Sequence, residues 1–203
     1  MADGSFVELS GGKVFVRHSK SAGSAHNIVL LHGYAFSSRN WEDIGAFSRL
    51  NRLGYSVFAP DYPGFGQSED IPEFSIKRGD VSNSRYFVRE LMNALKLDRT
   101  ILLGPSMGGG MAILSSSLYP ERFEKLILVG PAWFSQIDVN RINLPKLFIW
   151  GENDDVAPYQ NVKDSIHPDG KTRVEIVKGA GHPVYLDRTD EFFRILENFL
   201  TSG

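Results

Sequence analysis

Cysteine is absent from this chain of 203 residues, which excludes disulfides, thiolate metal sites and a cysteine nucleophile. Charge of neither sign dominates, because 22 Lys and Arg residues stand against 24 Asp and Glu residues. The formal net charge of −2 gives no electrostatic footprint for nucleic acid or an anionic membrane. Long apolar runs and a basic, apolar leader are also missing, so neither a membrane span nor a secretory signal is visible. We therefore expect a cytoplasmic protein that binds neither nucleic acid nor membranes.

The rest of the composition is that of an ordinary globular protein. Hydrophobic residues make up 42% of the chain, which at this length is enough for a sizeable core. No internal repeat or low-complexity segment divides the sequence. We therefore expect a single domain over residues 1–203, present as a monomer or a weak homodimer.

Short apolar runs alternate with amphipathic segments from residue 28 to the end of the chain. Wholly apolar runs are typical of strands that are buried on both faces. Strands are predicted at 28–31, 55–59, 101–103, 126–129, 147–150 and 174–177, after a hairpin of 6–9 and 14–16, and helices at 40–53, 107–118 and 189–200. The pattern predicts an α/β fold with a mostly parallel, twisted sheet of about eight strands and helices on both faces. Sites in such sheets form at the carboxyl ends of the strands.

Residues 104–108, Gly-Pro-Ser-Met-Gly, carry the strongest chemical signal. The pattern Gly-x-Ser-x-Gly arises by chance in roughly one in fifteen chains of this length, so its context must support it. Here an apolar strand precedes the pattern and a predicted helix follows it, which is the setting of a nucleophile elbow. Gly104 and Gly108 fit a turn too tight for a large Cβ two residues before or after the serine. Ser106 is therefore the predicted nucleophile.

A serine nucleophile needs a base and an acid that orients the base. His182 follows the predicted strand 174–177 within Gly-Ala-Gly-His-Pro, and it is the predicted base. Two adjacent acids, Asp154 and Asp155, follow the strand 147–150. We favour Asp154 because it is nearer the strand end, and Asp155 could then cap a helix entered at Pro158. The choice between the two carboxylates stays open at this point.

An oxyanion needs preorganised backbone N–H donors. The predicted donors are Met107, directly after the nucleophile, and Tyr34, in the loop after the strand 28–31. We expect His32 to brace that loop by hydrogen bonds rather than to act as a base. Three aromatic residues at strand ends are predicted to line an acyl pocket, with simple core packing as the alternative: Phe36, Trp133 and Phe134.

Taken together, these segments resemble the α/β-hydrolase superfamily. The resemblance is carried by residues 32–33, 61–68, 104–108, 151–158 and 179–182. It implies a Ser106–His182–Asp154 triad with the N–H groups of Met107 and Tyr34 around the oxyanion. Most family members insert a helical cap where this chain has only residues 131–145. Residues 31–38 and 179–187 are similar to a small capless subgroup that includes the animal proteins called CIB, although Gly108-Gly109 is the commoner superfamily form.

These features predict a serine hydrolase of the carboxylesterase type, which cleaves small acyl esters through an acyl-enzyme. No cofactor or metal is required, and no cofactor motif is present. A site without a cap should be open and should favour short acyl chains. One alternative is transfer of the acyl group to another acceptor, such as a thiol or a peroxide. Another is a binding module on a hydrolase fold with an idle triad.

Overall fold

A mixed sheet of eight strands organises the described part of the protein. The computed structural model describes residues 2–24, 26–76, 83–132, 137–167 and 169–202. The strands are β1 (Asp3–Leu9), β2 (Gly12–Ser19), β3 (His26–Leu30), β4 (Tyr55–Pro60), β5 (Thr100–Pro105), β6 (Phe123–Val129), β7 (Lys146–Gly151) and β8 (Thr172–Val177). Their spatial order is β1-β2-β4-β3-β5-β6-β7-β8. β2 pairs antiparallel with β1 and β4, and all other pairs are parallel. The predicted sheet is confirmed.

Helices cover both faces of the sheet, as the alternating pattern predicted. They are α1 (Arg39–Asp43), α2 (Ala46–Arg52), α3 (Phe87–Ala94), α4 (Met107–Leu118), α5 (Val184–Asp187) and α6 (Thr189–Thr201). Residues of α3 and α4 join one hydrophobic cluster, and residues of α1, α2, α5 and α6 join the other. Within the described ranges, no helix is long and apolar enough to cross a membrane.

The wholly apolar strands follow from this two-sided burial. Successive side chains of a strand point to opposite faces, so both faces of a central strand need apolar residues. In β3 and the residue directly after it, Ile28 and Leu30 belong to one hydrophobic cluster, whereas Val29 and Leu31 belong to the other. The two cores therefore hold the central strands, and the loops at their carboxyl ends, in fixed positions.

One predicted element is wrong. Residues 40–53 do not form a single helix but the two short helices α1 and α2. Gly45 separates them, because its backbone has φ +73°, in the left-handed region that ends a helix. The apolar side chains on both sides of Gly45 still reach the same core, so the hydrophobic pattern alone could not reveal the break.

The sheet order places the predicted site residues along one edge. β3 lies between β4 and β5, so the strand order reverses at β3. The loops that follow the parallel strands β3, β5, β7 and β8 leave the sheet at their carboxyl ends. Open α/β sheets bind ligands at this edge, beside the strand where the order reverses.

Candidate active site

Ser106 lies at a sharp turn between β5 and α4. Its backbone has φ 48° and ψ −116°, which is rare for a residue other than glycine. A Cβ atom at Gly104 would collide with the backbone of Gly108, and one at Gly108 would lie 2.9 Å from the carbonyl oxygen of His32. The two glycines are thus required by close backbone contacts, and the elbow geometry predicted for residues 104–108 is present.

His182 and Asp154 form a hydrogen-bonded pair. The Nδ1 atom of His182 lies 2.8 Å from Oδ2 of Asp154, whose side chain is 1% exposed. The other carboxylate oxygen, Oδ1, accepts the backbone N–H groups of Val156 and Ala157 at 3.0 and 2.8 Å. Because a carboxylate accepts, Nδ1 carries the proton, and Nε2 is left as the basic nitrogen. That Nε2 atom is buried and has no hydrogen-bond partner within the described part of the chain.

Asp155 does not share this arrangement. Its side chain is exposed, and the segment after Pro158 forms two short 3₁₀ turns, Tyr159–Asn161 and Lys163–Ser165, without a side-chain cap. The prediction that Asp155 caps a helix here is therefore wrong. The physical reason is that Asp154 itself accepts the N–H groups that a capping side chain would take. Of the two candidate acids, the structure brings Asp154 to His182.

The end of β6 brings the serine and the imidazole–carboxylate pair together. The Ser106 N–H donates to the carbonyl of Val129 at 2.9 Å. The next residue, Gly130, has φ +46°, and a Cβ there would lie 2.8 Å from Oδ2 of Asp154 and 3.2 Å from Nδ1 of His182. Only glycine leaves room for the pair. Gly130 was not among the predicted site residues, and its one signal in the sequence is a glycine directly after an apolar strand.

Met107 and the loop that holds Tyr34 border the serine. Met107 is the first residue of α4, where an N–H has no partner inside the helix. In the loop after β3, a Cβ at Gly33 would lie 3.8 Å from the Cβ of Ser106. The next residue of that loop is Tyr34. Among the described residues, neither Met107 nor Tyr34 donates a backbone hydrogen bond. Their role as oxyanion donors stays a prediction.

The predicted pocket residues are only partly described. Phe36 packs edge-to-face on Tyr185 with 6.2 Å between ring centroids, and its ring lies against Gly33. It is therefore close to the loop that borders Ser106. Trp133 and Phe134 lie outside the described residues, so their pocket role remains a prediction.

His32 braces its loop, as predicted. Its Nδ1 lies 2.8 Å from the carbonyl oxygen of Gly33, and its Nε2 lies 2.9 Å from the backbone nitrogen of Tyr62. The side chain is 1% exposed. Burial lowers the pKa of His32, and the hydrogen bond to Gly33 and the charge of Asp61 oppose this only in part. Burial thus favours the neutral form of the ring.

This buried histidine predicts a pH-dependent stability. Below pH 6.5 the unfolded imidazole binds a proton that the folded ring does not, so the folded state loses stability as the pH falls from 6.5 toward the lower folded pKa. The slope should reach at most about 1.4 kcal/mol per pH unit. Urea unfolding at pH 7.5 and 5.5 should show a smaller pH effect for His32→Gln than for the wild type. The exposed His167→Gln should behave like the wild type, and equal pH effects in all three proteins would contradict the prediction.

Two further carboxylates hold the loops of the site. Asp61 is buried and accepts the N–H groups of Ser38 at 2.7 Å and Gln67 at 2.8 Å, so it ties the loop after β3 to the loop after β4. Asp187 accepts the N–H of Gly181 at 2.8 Å and steadies the chain directly before His182. Both segments are recognisable in the sequence, but these contacts were not predicted, because they join residues in separate loops or across a turn.

An elbow serine and a histidine–aspartate pair, both at the carboxyl edge of a mostly parallel eight-stranded sheet, are the arrangement of the α/β hydrolases. The sequence also matches the profile of the family described as alpha/beta hydrolase fold over residues 27–141, which is more than half of the chain. The chain therefore belongs to the α/β-hydrolase family.

Several known proteins are similar to this chain over nearly its whole length. The rat putative protein-lysine deacylase ABHD14B is 30% identical over 203 residues, which cover 96% of this chain and 93% of the relative. The crystal structure of a predicted CIB-like hydrolase from Thermoplasma acidophilum has a TM-score of 0.93 and 36% identity, with 98% of each chain covered. The carboxylesterase CesB from Bacillus subtilis is similar in fold alone, with a TM-score of 0.86 at 17% identity over 100% of this chain and 93% of CesB. These findings confirm the resemblance to the CIB-type subgroup and support a hydrolase activity.

Proposed function

We propose that this protein is a serine hydrolase that cleaves small acyl esters with Ser106 as nucleophile, His182 as base and Asp154 as acid. The observation that carries the proposal is the state of the His182 imidazole. Its Nδ1 is held by a buried carboxylate, and its Nε2 is buried without a partner among the described residues. The ring lies against Gly130, directly after the Val129 carbonyl that accepts the Ser106 N–H. A basic nitrogen with an unused lone pair beside a serine hydroxyl is suited to accept the serine proton.

The reaction follows from this arrangement. The Ser106 oxygen attacks the acyl carbonyl while Nε2 of His182 takes its proton, and Asp154 stabilises the resulting imidazolium. The oxyanion is stabilised by the N–H groups of Met107 and Tyr34. The alcohol leaves with the proton from His182, and an acyl group remains on Ser106. Water then repeats the sequence and releases the acid.

A second candidate substrate is an acylated lysine side chain. It is favoured by the similarity to the rat relative ABHD14B, which is named a putative protein-lysine deacylase. Cleavage of that amide passes through the same acyl-enzyme, with the lysine amine as leaving group in place of an alcohol. Acyl transfer to a thiol or peroxide would likewise start from this intermediate. Product analysis with an ester, an acyl-lysine peptide and a competing thiol distinguishes the three outcomes.

The test of the proposal is covalent labelling with a fluorophosphonate, which reacts only with an activated serine. We expect intact-mass measurement to find one adduct on the wild type, no adduct on Ser106→Ala and slow labelling of His182→Ala. Ser68→Ala is the matched control, because the Ser68 hydroxyl donates to the carbonyl of Asp61 at 2.7 Å and lacks a base. An unlabelled wild type, or an adduct that persists in Ser106→Ala, would contradict the proposal and favour a binding module.

A further inference from the structure

The partners of His32 fix where its single proton lies. A carbonyl oxygen can only accept, so Nδ1 donates to Gly33 at 2.8 Å. A backbone N–H can only donate, so Nε2 accepts from Tyr62 at 2.9 Å. Both contacts require the neutral ring with the proton on Nδ1, and a charged ring would place an N–H against an N–H. The neutral side chain therefore accepts a hydrogen bond from the backbone just after β4 and donates one to the Gly33 carbonyl.

The Gly33 carbonyl belongs to the same peptide group as the Tyr34 N–H. A trans peptide is planar, and its C=O and N–H point in opposite directions. Whatever orients the carbonyl of Gly33 therefore also orients the N–H of Tyr34. The carbonyl accepts from the His32 ring and, at 3.1 Å, from the N–H of Phe36. These two donors hold the peptide plane in one orientation.

The sheet order gives the direction of that N–H. β3 lies between β4 and β5. The His32 ring is attached to Tyr62 on the β4 side, so the Gly33 carbonyl that it binds points toward that side. The opposite end of the peptide, the Tyr34 N–H, then points toward the β5 side. Ser106 follows β5, and Gly33 borders it, since a Cβ on Gly33 would lie 3.8 Å from the Ser106 Cβ.

The far end of the same loop is attached to the same turn. Asp61, directly before Tyr62, accepts the N–H of Ser38 at 2.7 Å. The loop from Gly33 to Ser38 is thus held at both ends by two consecutive residues after β4. Of these two attachments, only the one through His32 acts on the peptide group that contains the predicted oxyanion donor, the Tyr34 N–H.

We infer that His32 is a positioning residue for catalysis, which aims the Tyr34 N–H at the oxyanion by holding the Gly33 carbonyl through Nδ1–H. The inference rests on the proposed function and adds a role for a histidine outside the triad. It predicts that the Nδ1 donor matters for turnover, whereas the Nε2 acceptor matters mainly for stability.

Two substitutions separate these roles. An asparagine amide can place its nitrogen near the Nδ1 position, so His32→Asn keeps a donor for Gly33 and loses the acceptor for Tyr62. A glutamine amide reaches the Nε2 position, so His32→Gln keeps the acceptor and loses the donor. We expect kcat for a p-nitrophenyl ester to fall about 100-fold in His32→Gln and less than about tenfold in His32→Asn, with KM changed by less than about threefold in both. His167→Asn and His167→Gln, at an exposed histidine, are the controls.

A purely structural role predicts a different result. In that case kcat would follow the stability of each variant, and thermal unfolding would rank the variants in the same order as turnover. Equal kcat values in the two variants, or a lower value for His32→Asn, would overturn the inference. If either variant does not fold, the nitrogen-15 chemical shifts of the wild-type ring decide. We expect a neutral ring protonated on Nδ1 at pH 7.5, and a proton on Nε2 or a charged ring at that pH would overturn the inference.

The experiments also separate this inference from the proposed function. A wild type that neither reacts with a fluorophosphonate nor turns over esters would refute the function, whatever the state of His32. An active wild type with equal kcat in the two His32 variants would refute only the positioning role.

Discussion

Asp154→Asn is expected to lower kcat about 10⁴-fold, whereas Asp155→Asn should change it less than about twofold. An asparagine amide can turn its NH₂ group toward Nδ1 of His182, which then becomes an acceptor. The proton of the neutral ring moves to Nε2, and Nε2 can no longer take the proton of Ser106. Asp155 is exposed and lies outside this contact, so its neutralisation leaves the imidazole unchanged.

The pair of variants is well matched, because the same change is made at two neighbouring positions. In Asp154→Asn the amide oxygen can still accept the N–H groups of Val156 and Ala157, which the Oδ1 atom accepts now. The loop should therefore keep its shape, and thermal unfolding should confirm that both variants fold. Turnover of a p-nitrophenyl ester is the measurement. A large loss in Asp155→Asn, or a small one in Asp154→Asn, would mean that another acid orients His182.

Gly104→Ala is expected to reduce the free energy of unfolding by more than about 4 kcal/mol, or to prevent folding. A Cβ at this position would overlap the backbone of Gly108, with the nitrogen of Gly109 at 2.7 Å. These atoms belong to α4 and cannot move aside as a flexible side chain could. The strand and the helix would have to separate, and the elbow would open.

Gly23→Ala is the control for the elbow substitution. Gly23 has φ +73° but no atom within 4 Å of an added Cβ, so alanine there meets backbone strain alone. We expect that substitution to cost about 1 kcal/mol. Urea unfolding of both variants separates collision from strain. A Gly104→Ala protein as stable as Gly23→Ala would show that β5 and α4 can separate at little cost.

The sheet was predictable because the burial of its strands between two cores determines which residues the strands contain. Strands buried on two faces must be apolar throughout, and the runs at β3, β5, β6 and β7 satisfy that demand. The break between α1 and α2 was not predictable in the same way. It depends on the backbone conformation of one glycine, and a glycine inside a helical pattern can also stay helical.

The candidate site was predictable as a set of residues but not as a set of contacts. The order of Ser106, Asp154 and His182 and their places after strands are visible in the sequence. The choice between Asp154 and Asp155 cannot be read from the sequence with certainty. It depends on which of two adjacent side chains the turn directs toward His182. The need for glycine at position 130 is also not visible in the sequence, because the atoms that exclude a Cβ there belong to Asp154 and His182 in two other loops. Contacts between loops far apart in sequence need the folded chain.

The backbone of Ser106 has a consequence for any laboratory evolution of this protein. A residue other than glycine in such a conformation costs on the order of 1–3 kcal/mol, against a total stability of roughly 5–15 kcal/mol for a typical domain. A selection for heat resistance alone would therefore reward a glycine at position 106. It would enrich robust proteins that lack the hydroxyl group. Turnover must be part of any such screen, because at this one position heat resistance and chemistry favour different residues.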